Sequence, residues 1–213
     1  MNWPNPTIAG AGNCCLDYLF SAPTVSPGGT ARVKEYALEG GGLTATALVA
    51  CARLGATARL ASLVGDDETG RQIRRDLVKE GVCCDAVLEL TATSSPVSFI
   101  HIDDQSGERT IFHYSADTME QSPSRDLSAL QGADVVLVDD VYPSLGRAAV
   151  RYAREWGIPT VADTVPCYKN RDFVAQVDVL IAPQKFAPNI RSMEDAQDAL
   201  KTIHDYGPAT AVI

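Results

Sequence analysis

A chain of 213 residues, 46% hydrophobic and 21% charged, is long enough to bury about 70% of its unfolded surface in one core, so it requires no disulfide or metal staple. Its formal net charge of −9 excludes nucleic acid and an anionic membrane as main partners, because both select a basic surface. Six cysteines with no CxxC pair and no Cys/His zinc spacing read as buried thiols of a reducing, cytoplasmic protein. Met1 to Gly12 lacks a basic segment and a long apolar run, so no signal peptide is expected there, and no run approaches the roughly 18 apolar residues of a membrane span.

Thr7 to Gly12 reads as a short apolar strand ending in Gly10-Ala11-Gly12. A dinucleotide fingerprint fails here: Cys15 stands at the third glycine position, and the chain then alternates and breaks at Pro23 and Pro27 where a helix should begin. Between Val25 and Glu39 two short extended pieces are expected around Pro27-Gly28-Gly29. Gly40-Gly41-Gly42-Leu43-Thr44-Ala45-Thr46 then leads into an apolar helix ending near Leu54-Gly55. Such a turn lets backbone approach a ligand, and the first helical turn is expected to offer unpaired N–H donors. Leu60 to Val64 reads as a strand, and Gly65-Asp66-Asp67-Glu68-Thr69-Gly70 opens a helix with Ile73, Leu77 and Val78 on one side, stopping at Gly81. Asp66 and Asp67 fit capping roles at its positive end.

Taken together, GG-x3-T-x8-G, VGDDxxG, a helix and EGV resemble the first signature of the PfkB carbohydrate kinases, the ribokinase-like family. The resemblance implies a three-layer α/β fold, with a central, mainly parallel sheet, helices on both faces and a small β lid. It also implies transfer of the γ-phosphoryl group of ATP, with Mg²⁺, to a hydroxyl of a small sugar. Asp17, five residues beyond Gly12 in a G-x4-D arrangement, would hold sugar hydroxyls together with Gly41, Gly42 and Thr46. Thr46 departs from the family, which usually has Asn there; a hydroxyl lacks the two-pronged grip of an amide.

Val97 to Asp103 and Arg109 to Ser115, joined by Asp104-Gln105-Ser106-Gly107-Glu108, have hairpin spacing. By resemblance the lid strands fall within about 14–39 and 97–115, and an exposed lid edge implies a homodimer through them. His101 and His113 lie on these strands without a third ligand, and no metal site is assigned. From Ala133 strand and helix alternate, which indicates a parallel sheet. Val135 to Val138 ends in Asp139-Asp140, and Pro159 to Ala162 ends in Asp163-Thr164. Val177 to Ala182 and Ala209 to Ile213 are further strands. Between them, one helix is expected to bury Leu145, Ala149, Tyr152 and Trp156, with Arg147, Arg151 and Arg154 solvated. Another, capped by Ser192 with Asp195, buries Ala196, Ala199, Leu200 and Ile203.

Carboxylates beyond the strand ends suit ligands, and at least one of Asp139 and Asp140 is expected to touch substrate. Asp163 lies where relatives place an acid near phosphate and metal. The window from Ala182 to Ala187 carries no acid where many relatives have Asn-Glu-x-Glu. It is similar to the Ser-Lys-x-x-Ala type of ketohexokinase-like members, which hints at a ketose. The second family signature, D-T-x-G-A-G-D, does not occur in this sequence. The expectation is therefore an incomplete domain, fragment or natural truncation, without its nucleotide-binding end, the catalytic base lying beyond Ile213. The alternatives are a non-catalytic sugar-binding or regulatory module and, more weakly, an NAD-type oxidoreductase.

Overall fold

The computed structural model describes residues 5–164, 170–183 and 193–213. Strands β1 (Thr7–Ala11), β4 (Thr57–Gly65), β5 (Val82–Leu90), β8 (Val135–Val138), β9 (Thr160–Asp163), β10 (Val179–Ile181) and β11 (Thr210–Val212) form one sheet in the order β11-β10-β9-β8-β1-β4-β5. Every pairing in it is parallel. Alternation along β4 shows why both faces must be covered. Leu60 and Val64 pack with Leu48, Ile73 and Leu77 on one side, while Ala61 and Leu63 join Val136, Val138, Leu145, Ala149, Phe173 and Ile203 on the other. The first layer is α1 (Leu43–Arg53) and α2 (Glu68–Lys79); α4 (Pro143–Glu155), α5 (Arg171–Val174) and α6 (Met193–Tyr206) contribute to the second. A short α3 (Asp117–Glu120) seats Met119 in the second core.

A second, four-stranded sheet has the order β3-β2-β6-β7, from β2 (Cys15–Ala22), β3 (Glu35–Gly41), β6 (Val97–Asp103) and β7 (Arg109–Tyr114). The expected hairpin is present, β6 pairing antiparallel with β7. The segment read as two extended pieces is instead one strand, β3, preceded by non-regular chain. Pro23, Pro27 and the glycine pair hold residues 23–33 away from the ladder, which the chain rejoins where the Lys34 N–H donates to the Ser21 carbonyl at 2.8 Å. Strand β5 was not anticipated.

Two local expectations are also corrected. Trp156 is exposed at the end of α4, where it tilts against Tyr152, and Val150 and Ala153 take the buried positions. Cys14, Cys15 and Cys84 are buried, but Cys83 is exposed and Cys51 half-buried. The Ser192 cap, Cys167 and Gln184 to Ala187 lie outside the described residues.

Asp67 caps α2 as expected. Its carboxylate accepts the Gly70 N–H at 2.8 Å and the Ser95 N–H and hydroxyl at 2.9 and 2.6 Å. Burial pushes this carboxyl up, yet the Ser95 and Gly70 donors outweigh it and hold the group below its usual range. Its contribution to stability is therefore present above the unfolded value of 3.8 and is lost as pH falls. Asp67→Ala is expected to cost about 1–2 kcal/mol at neutral pH, read from urea unfolding, with the deficit shrinking in acid.

Candidate functional site

The ends of β1 and β8 and the start of α1 converge on Asp139, which has no exposed surface. Its Oδ2 accepts the N–H of Asn13 at 2.8 Å and the hydroxyl and N–H of Thr44 at 2.7 and 3.4 Å, while Oδ1 accepts the N–H of Val141 at 3.0 Å. Asn13 completes the cap, its Oδ1 taking the Leu43 N–H at 2.8 Å and its carbonyl the Ala45 N–H at 3.3 Å. The first-turn donors of α1 expected to face a ligand are thus used inside the protein. Asp139, expected as a substrate contact, lies beneath the cleft as the anchor of the helix. Burial drives its carboxyl up to about 6, against the Thr44 hydroxyl and the backbone N–H groups. A Cβ on Gly12 would overlap both Asp139 Oδ2 and Thr44 Oγ1, so only glycine lets these parts meet.

Above this anchor lies a cleft of about 520 Å³ between the second sheet and α1. Asp17, Ser98, Ile100, Ile111 and His113 form one wall, and Leu43, Thr46, Ala47 and Ala50 the other. Asn13, Cys15, Gly41 and Gly42 lie at the base, and Asp163 enters from the end of β9. Four of the six residues expected to hold substrate are therefore together, Asp17, Gly41, Gly42 and Thr46, and Asp163 joins them.

Asp140 is outside this lining. Its carboxylate accepts the Thr164 hydroxyl and, at 2.7 Å, the Asn170 amide, which ties the end of β8 to the chain after β9. Gly41 is pressed against Asp17, where a Cβ would overlap the carboxylate. Gly42, at φ 99°, brings its Cα against the Asn13–Cys14 backbone.

Asn13, Cys15, Ser98 and His113 were not anticipated as part of the site. Asp17 pairs in register with Ser98, and Ser98 with His113, so the three form one row across β2, β6 and β7. The Cys15 thiol donates to Asp17 Oδ1 at 3.1 Å and lies 3.8 Å from Ser98 Oγ, which is 3.2 Å from His113 Nδ1. The period-2 pattern of these strands was legible, but their mutual register was not.

The family profile described as pfkB family carbohydrate kinase matches residues 10–213. The chain belongs to this family. Curated relatives include a ribokinase of Haemophilus influenzae, 24% identical over 97% of this chain and 71% of its own. An ATP-dependent ribose-1-phosphate kinase of Halopiger xanaduensis is 30% identical over 72% of this chain and 53% of its own. The solved ribokinase of Arabidopsis thaliana, complexed with ribose and ATP, superposes with a TM-score of 0.80 at 17% identity, covering 98% of this chain and 71% of that one. That likeness shows a shared ribokinase-like fold. No helix among the described residues is long and apolar enough to cross a membrane.

Proposed function

We propose that this pfkB chain is the sugar-holding part of a cytoplasmic ATP-dependent carbohydrate kinase, which transfers the γ-phosphoryl group to a sugar hydroxyl. The observation that carries the reading is the convergence of Asp17, Gly41, Gly42, Thr46 and Asp163 on one cleft. The Asp17 carboxylate accepts sugar hydroxyls, Thr46 adds one donor and acceptor, and Ile100 and Ile111 cover the apolar face of the ring. Asp163 marks the side of the cleft turned toward nucleotide. Catalysis of this type depends chiefly on positioning the acceptor in line with the phosphoryl group. Among the described residues no three His, Cys, Asp or Glu side chains gather to hold a metal. In this reading Mg²⁺ is held by nucleotide phosphate oxygens, the hard ligands it prefers.

The second sheet is then the lid, and two lids pair in a homodimer. Exposed Tyr36, Leu38, Phe112 and Tyr114 on its outer strands support that pairing, which sedimentation would test. Calorimetric titration with D-ribose and D-fructose, followed by a coupled ATP assay, tests the function. Saturable binding supports the reading, and sugar binding without phosphoryl transfer favours a non-catalytic module. Binding of neither sugar argues against it. Gly41→Ala sharpens this test, because β3 tolerates alanine while the added Cβ displaces the Asp17 carboxylate. Sugar affinity is expected to fall about tenfold or more with little change in melting temperature.

A further inference from the structure

We infer that Cys15, Ser98 and His113 are positioning residues that hold Asp17 through a hydrogen-bonded chain of fixed polarity. Asp17 as a carboxylate can only accept, so the single thiol proton of Cys15 is committed to Oδ1 at 3.1 Å. The sulfur can then only accept from Ser98, whose own single proton is used on it at 3.8 Å. Ser98 Oγ must in turn accept at 3.2 Å from His113 Nδ1, which therefore carries a proton. Every donor points toward Asp17, across three strands of the second sheet.

Burial and the Asp17 carboxylate push the thiol well above its usual range, so the donor stays protonated at neutral pH. With Oδ1 held by the thiol and Gly41 packed against the same carboxylate, the group has one orientation, in which Oδ2 remains for ligand hydroxyls. With the proton on Nδ1, a neutral imidazole has Nε2 as its acceptor, and His113 lines the cleft.

Long-range ¹H–¹⁵N spectra of the imidazoles at about pH 8.5, where an ordinary histidine is neutral, read the polarity without any ligand. His113 is expected in the Nδ1–H form. His101 is the internal contrast, since its Nε2 must donate to the Ala22 carbonyl. Ser98→Ala should release His113 to the Nε2–H form. A wild-type His113 in the Nε2–H form overturns the inference.

The second arm, D-ribose and D-fructose titration, rests on the sugar reading above. Cys15→Ala is expected to weaken binding about tenfold, Cys15→Ser to restore it to within about twofold, and Cys15→Ala/Ser98→Ala to be no weaker than Cys15→Ala alone. Unchanged affinity in Cys15→Ala overturns the positioning role. An Nδ1–H His113 in a wild-type chain that binds neither sugar supports the chain of hydrogen bonds and counts against the sugar reading alone.

Discussion

Replacing Asp139 by alanine is expected to remove about 4 kcal/mol or more of folding stability, measured by urea unfolding at neutral pH. The change strands the N–H groups of Asn13, Thr44 and Val141 and the Thr44 hydroxyl in a site with no exposed surface. Each buried donor left unmet costs about 1–3 kcal/mol. Against a total of about 5–15 kcal/mol for a domain, the variant should lie near unfolding. In Asp139→Asn the amide oxygen can stay toward Asn13 and Thr44, but the NH₂ group then faces the Val141 N–H. A loss of about 2 kcal/mol is expected.

The pH dependence has a definite sign. Burial raises the folded carboxyl to about 6 from 3.8, so the folded state binds the proton more tightly than the unfolded chain does. The part of the stability that comes from the shifted ionisation of Asp139 is fully present below 3.8 and is lost as pH rises through about 6, while the hydrogen bonds from Asn13, Thr44 and Val141 remain. The gap between wild type and Asp139→Asn should accordingly widen as pH is lowered from about 8 to about 5. A gap that is flat or narrows in acid would show that the carboxylate, not the acid, is the form the helix end favours.

Asp17→Ala is expected to lower sugar affinity about 100-fold while changing the melting temperature by only a few degrees. Two hydroxyl hydrogen bonds to a carboxylate are together worth about 3 kcal/mol or more, and each 1.4 kcal/mol is tenfold in affinity. Asp17 stands on β2, half-buried and anchored by the Cys15 thiol, so its removal costs the fold little. Asp17→Asn keeps an acceptor for the thiol and loses only the charge, and should fall between wild type and the alanine variant, about tenfold weaker than wild type. Calorimetry with D-ribose and D-fructose, paired with thermal unfolding, checks both variants. An alanine variant that binds within about threefold of wild type would remove Asp17 from the site.

Local signals carried much of the fold. The glycine turn and apolar run placed α1, the Asp67 cap and the stop at Gly81 placed α2, and the Asp104 to Glu108 turn placed the β6–β7 hairpin. Strand β5 escaped because Cys83, Cys84 and Asp85 interrupt its apolar run and its burial alternates only in part. The site was legible only where a spaced motif carried it. The role of Asp139 depends on partners 126 and 95 residues away, and Cys15 meets Ser98 across 83 residues. No local pattern reveals that an N-terminal asparagine and a mid-chain aspartate will use up the helix donors, because the contact exists only after β1 and β8 pair.

Asp17 is carried by one sheet and Asp163 by the other. The reach of the cleft is thus a dimension between two layers, not the length of any loop. Chain inserted at residues 23–34 or at the Asp103–Glu108 turn, at the far end of the second sheet, would leave that reach unaltered. What the cleft accepts is written instead in the side chains that line it from β2, β6, β7, α1 and β9. A change of ligand therefore needs only point substitutions on a frame that stays as it is.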